Sequence, residues 1–138
     1  RMFGRDRLVD RGDMATARQR LVAWVVDLTD QAERELTGPD QLAWHRIIDL
    51  EIDNIRTAMQ WSIDERHGSA ALSVAGALHR YWFDKSPREG HTWLSRALGL
   101  DAPAVPVGIA ARAEIAQGHM LQVLGDDEGS VERCRRAT

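Results

Sequence analysis

His45, Asp49 and Asp53 stand at intervals of four, a spacing that puts all three side chains along one face of a helix. One imidazole and two carboxylates in that arrangement could hold a divalent metal. No second strong ligand pair accompanies them, so a solvated helix face is the leading reading and no metal site is assigned. Asp53, Asn54 and Arg56 lie within "EIDNIRTAMQW" and could bind a polar ligand. The plainer reading is an intrahelical Asp53–Arg56 ion pair, with Asn54 bonded to the backbone of a neighbouring helix. The remaining histidines, His67, His79, His91 and His119, are scattered and lack an HExxH or cysteine partner. Cys134 falls where a core residue belongs and reads as a small buried hydrophobe. Ser73, Ser86 and Ser95 have no G-x-S-x-G context. Asp126, Asp127 and Glu128 lack the rest of a calcium loop and sit where a helix N-terminus favours carboxylates. Tyr81, Trp82 and Trp93 could line a groove or form a hairpin core. No catalytic or cofactor-binding residue is assigned; the interaction candidates are Tyr81, Trp82, Trp93, Asn54 and Arg56.

The elements that must position these residues read as helices throughout. No run of β-branched residues alternates with polar ones, so no half-buried strand is expected. A first helix is predicted from Met14 to Leu36 with Asp13 as its cap and Ala17, Leu21, Val25, Leu28, Ala32 and Leu36 as its apolar face. "TGPD" interrupts the chain and restarts it, with Pro39 in the first turn of the second helix. That helix is predicted to run to Glu65, with a stripe of Trp44, Ile48, Ile52, Ile55, Met59 and Ile63. Gly68 suits a left-handed C-cap and Ser69 a following N-cap. A third helix spans Ala70 to Asp84. Ser86, Pro87 and Glu89 form the signature of a capped start for a fourth, from Pro87 to Leu98. Pro103 and Pro106 mark a break. A fifth helix, Gly108 to Leu124, precedes a sixth starting near Asp127.

Composition narrows the class. A formal charge of −3 and a pI near 5.9 argue against a nucleic-acid-binding module, which carries a basic excess. The densest apolar run, Leu21 to Val26, is far shorter than the roughly 20 residues of a membrane span. One cysteine permits no intrachain disulfide, in keeping with a cytoplasmic setting. No secretory signal opens the chain, and both ends look cut from something longer. Short connections between six helices leave a compact bundle or stacked antiparallel hairpins.

An internal register favours the stack. Ala97 and Ala137 lie 40 residues apart, and the same offset pairs Tyr81 with Leu121, Gly90 with Ser130 and Leu94 with Cys134. Together with Gly118, Gly125, Asp126 and Pro103, these positions resemble a degenerate tetratricopeptide pattern, lengthened by "DAPAVPVG" and carrying Leu78 where a small residue is usual. The expected organisation is an all-α, α-α superhelix. Its parts are a long helix pair over 1–66 and two repeat-like hairpins over 68–102 and 107–138, the second truncated.

A narrower resemblance covers nearly the whole chain. "GPDQ" with Trp44 leads to Glu51, Asn54, Ile55, Arg56, Ala58, Met59 and Trp61. Arg80, Tyr81 and Trp82 follow, and then "REGHTWLSRAL". In this order they resemble the helical region after the ATPase module of large bacterial LuxR-type and AfsR-like regulators. The resemblance implies a non-catalytic sensor or protein-interaction region, relaying a protein or small-molecule inducer to ATPase and helix-turn-helix DNA-binding parts elsewhere. The chain has no G-x-x-x-x-G-K-[ST] phosphate loop and no basic recognition helix, so neither activity is expected within it. Its partners would be that inducer and other domains of the parent, with no direct contact to nucleic acid or membrane. An apolar end left by the truncated hairpin predicts self-association. The alternative is a free-standing adaptor binding peptide in a concave groove.

Overall fold

The computed structural model describes residues 7–100, 105–125 and 133–137. Its helices are α1 (Arg7–Glu35), α2 (Gln41–Asp64), α3 (Gly68–Ala77), α4 (His79–Lys85), α5 (Pro87–Leu98) and α6 (Val107–Val123). Residues 133–137 are also helical. The described residues contain no strand, so the fold is all-α. Asp126, Asp127, Glu128, Pro103 and Ser130 lie outside the described residues.

The apolar stripes become the core. On α2, Ile48, Ile55 and Met59 are fully buried, and Trp44, Ile52 and Ile63 pack against them. On α1, Val25 and Ala32 are buried, as is Leu36 just past its end, whereas Ala17 is exposed. Thr29 is wholly buried on the same face. Its hydroxyl donates to the carbonyl of Val25 at 2.9 Å, which removes most of the cost of burying it.

Helix α3 is the hub. Its sequence GSAALSVAGA is made almost entirely of small residues, and seven of the ten are buried. It packs against α1, α2, α5 and α6. A helix apolar on every side has to be surrounded, and short side chains let four neighbours approach it. Its approach to α6 is close: a Cβ placed on Gly76 would stand 3.5 Å from the Cα of Ala113.

Contacts across the elements fix their directions. Arg18, early in α1, reaches Glu65 beyond the end of α2, so these two run antiparallel. His45 meets Asp84 while Asp49 meets Tyr81, so α2 and α4 are antiparallel. Arg56 meets Glu89 while Gln60 meets Arg96, so α2 and α5 are parallel. Gly76 faces Ala113 while His79 meets His119, so the α3–α4 arm and α6 are parallel. Hairpin α1/α2 is therefore followed by hairpin α3–α4/α5, and α6 is laid on α3 and α5 as the next layer.

Several boundaries differ from those read in the sequence. Helix α1 already runs through Asp13, which is an interior residue and not a cap. Pro39 sits in the turn before α2, and Asp40 occupies the N-cap without a side-chain bond. The left-handed residue ending α2 is Arg66, with φ of 59°, and not Gly68, which opens α3. Its amide donates to Ile63 at 3.1 Å and that of His67 to Ser62 at 2.7 Å, the paired closure of a Schellman turn. His67, not Ser69, precedes α3, and it makes no side-chain cap bond.

The single helix expected from Ala70 to Asp84 is divided at Leu78, whose φ and ψ are −88° and 17°. Across this bend the indole N–H of Trp82 donates to the carbonyl of Ala75 at 3.0 Å. Helix α5 has the expected bounds, and Ser86 Oγ accepts from the amide of Glu89 at 3.3 Å. The Glu89 carboxylate does not return to Ser86 as a capping box would have it, because stronger donors hold it elsewhere.

Candidate functional site

Those donors belong to Arg56 and Trp93. Arg56 Nε donates to Glu89 Oε2 and Arg56 Nη2 to Oε1, each at 2.8 Å, forming a two-pronged pair between α2 and α5. Trp93 Nε1 adds a bond to Oε2 at 3.0 Å. Arg56 Nη1 also donates to Asp53 at 3.0 Å, so the intrahelical pair is present, but Asp53 is 92% exposed and its share is small. The Arg56 bonds hold the Glu89 carboxyl below its ordinary range against the opposing effect of burial. Charge-assisted, two-pronged geometry makes this the strongest polar link between the hairpins.

A second link surrounds Tyr81. Its hydroxyl donates to Asp49 Oδ1 at 2.6 Å, and Lys85 Nζ lies 3.4 Å from Asp49 Oδ2. The Tyr81 bond lowers the Asp49 carboxyl, while burial and that same carboxylate raise the phenol. A third link joins His45 Nε2 and Arg80 Nε to Asp84 Oδ2, both at 3.1 Å. His45, Asp49 and Asp53 thus turn to three different partners. No group of three or more His, Cys, Asp or Glu side chains that could hold a metal converges among the described residues.

The interaction candidates separate on this frame. Trp82 is wholly buried, Tyr81 is 6% exposed and Trp93 is 9% exposed, so the aromatic cluster is hairpin core rather than an open groove lining. Its tightness shows at Gly90, where a Cβ would collide with the Cβ and Cγ of Trp82. Asn54 is exposed and donates to Glu51 on its own helix at 3.0 Å, not to a neighbouring backbone. Arg56 alone of the five is both partly exposed and central to a network. Cys134 is half-buried rather than a full core residue.

Two of the clefts on the surface are lined by described residues. One, of about 280 Å³, is lined by Thr37, His79, Arg80, Phe83 and His119. The other, of about 210 Å³, is flanked by Arg18, Val22, Ser62 and Glu65. In the second, the Arg18 guanidinium lies 4.7 Å from the Trp61 ring centre.

Sequence reasoning missed the His79–His119 contact, the Arg56–Glu89 pair and the buried Gln117. His79 and His119 are 40 residues apart, the offset already found for Ala97 and Ala137, so the register held a usable signal. Gln117 is 1% exposed and donates to Ser95 Oγ across α5 and α6.

No helix among the described residues is long and apolar enough to cross a membrane. No family model matches the chain and no solved structure matches it. Over 69 residues, 47% of the chain, it is 36% identical to proteins named "Putative HTH-type transcriptional regulator" in Mycobacterium bovis and Mycobacterium tuberculosis. The match spans 8% of the length of those relatives. The chain is therefore similar, over about half its length, to a small part of proteins that carry that name.

Proposed function

We propose that this chain is a non-catalytic helical interaction region of a LuxR-type bacterial transcriptional regulator. It would relay the binding of a protein or small-molecule inducer to ATPase and helix-turn-helix DNA-binding domains elsewhere in the parent. The observation that carries this reading is the 36% identity to HTH-type regulators over 69 residues. The layered hairpins support it. Rigid elements stacked in chain order offer extended faces for a partner and transmit a shift at one layer to the next. The polar side chains support it as well, because those singled out for chemistry mostly act as inter-helix links.

The test compares the isolated chain with its intact parent. The isolated chain is expected to show neither NTP hydrolysis nor saturable binding to duplex DNA from the parent gene's promoter, while the parent shows both. Turnover or DNA binding by the chain alone would overturn the reading. A reading frame without ATPase and DNA-binding domains on either side would favour the free-standing adaptor instead.

A further inference from the structure

Helix α1 carries a second regular pattern that its own core does not use in full. Its buried face is Val25, Thr29 and Ala32, continued by Leu36. Beside that face, Met14, Ala17, Leu21, Trp24 and Leu28 follow one another at intervals of three and four. Leu21 and Leu28 reach the core in part, but Ala17 is exposed, Met14 is 49% exposed and Trp24 is 44% exposed. An apolar seam of that spacing, left open to water on a 29-residue helix, is the kind of stripe that a second helix covers.

Along the outer border of the seam run Asp13, Arg20, Asp27 and Arg34, seven residues apart and alternating in sign. All four are exposed. Arg34 is drawn to Asp30 on its own helix at 3.2 Å, and the other three have no ion-pair partner among the described residues. Seven residues are nearly two full turns, so the four charges form one row. In a closed dimer that row is self-complementary in one sense only. Parallel copies related by a two-fold axis set each residue beside itself, aspartate against aspartate and arginine against arginine. Antiparallel copies with the axis between residues 23 and 24 set Arg20 beside the partner's Asp27 and Asp13 beside the partner's Arg34, and each pair occurs twice. The same register brings the two Trp24 side chains next to the axis, in the middle of the seam.

We propose that this face binds a second copy of the chain, forming an antiparallel α1–α1 homodimer. Helix α1 is already folded against its own core, so the pairing does not cost the ordering of a helix. The apolar seam supplies the attraction, and the exposed ion pairs set partner and direction more than affinity. The inference places self-association on α1 rather than at the C-terminal hairpin, and it does not depend on the regulatory reading.

Sedimentation equilibrium of the chain from about 10 µM to about 1 mM reads the association. The mass is expected to rise from 15.5 kDa toward twice that value. Association should weaken several-fold between about 50 mM and about 500 mM salt. Arg20→Asp alone and Asp27→Arg alone each set like charges together twice per dimer and should weaken association about tenfold or more. The double variant Arg20→Asp/Asp27→Arg exchanges the charges and should restore it. Both residues are exposed, so circular dichroism should show the fold of each variant unchanged. A monomer throughout the concentration range, a dimer indifferent to the single reversals, or a double variant no better than the singles would overturn the proposal.

Discussion

Arg56 on α2 and Glu89 on α5 are joined by two N–H···O bonds of 2.8 Å, one from each of two guanidinium nitrogens. The pair ties the first hairpin to the second at residues that the family resemblance had singled out as a motif. Both side chains are partly exposed, so its worth is moderate. Arg56→Ala is expected to lower the unfolding free energy by about 1–2 kcal/mol. Asp53→Ala, which removes only the exposed partner, should change it by less than about 0.5 kcal/mol. Urea denaturation of the two variants checks the difference, and equal losses would contradict it.

Gly90 is where α5 crosses the Trp82 ring. Gly90→Ala would force its methyl group into the Cβ and Cγ of a fully buried side chain, and a cost of about 1–3 kcal/mol is expected. Gly12 within α1 has nothing within 4 Å of its notional Cβ, so Gly12→Ala should be neutral or stabilising by up to about 1 kcal/mol. Thermal unfolding of both variants reads the contrast.

Arg66 holds a left-handed φ of 59° at the end of α2. A side chain there is strained by about 1–2 kcal/mol, part of which glycine would give back as extra freedom in the unfolded chain. Arg66→Gly is therefore expected to raise the unfolding free energy by about 0.5–1 kcal/mol, measured by denaturant midpoint. A loss of stability would mean that the arginine side chain holds the turn by contacts of its own.

These sites also mark where the sequence was legible. The stripe of α2 and the start of α5 were readable because each is set by local spacing or by a local cap, as with Ser86 and Pro87. The bend at Leu78 was not, because an indole seven residues from its acceptor closes it and the apolar pattern runs on through the break. Gly68 suits a left-handed cap by residue type, but the turn closes two residues earlier, at Arg66. Asp53 pairs with Arg56 in the sequence because the two are neighbours on one helix. Glu89, 33 residues away, could be found only by knowing how α5 lies on α2. Residue type alone does not separate Asn54 from Trp82 as interaction residues; burial does, with Trp82 wholly enclosed and Asn54 exposed.

Acid should loosen the links between hairpins. Glu89 and Asp49 have folded-state values below their ordinary 4.5 and 3.8, so each contributes stability above the ordinary value. That contribution is lost as pH falls through the lowered folded value. Unfolding free energy is expected to decline as pH drops below about 5, and Glu89→Gln should flatten the decline while lowering stability at pH 7. Urea titrations across that range test the sign; an unchanged slope in the variant would remove Glu89 from the effect.

In the proposed function, these layered helices relay a signal within a transcriptional regulator without doing chemistry themselves. The most direct measurement is the promoter-DNA affinity of the intact parent carrying both Arg56→Ala and Glu89→Ala, beside the unsubstituted protein. In the proposed arrangement the substitutions lie outside the DNA-binding domain, so a shift of several-fold in affinity, with the fold intact by circular dichroism, is the result expected of a relay. An affinity unchanged by breaking the link would contradict it.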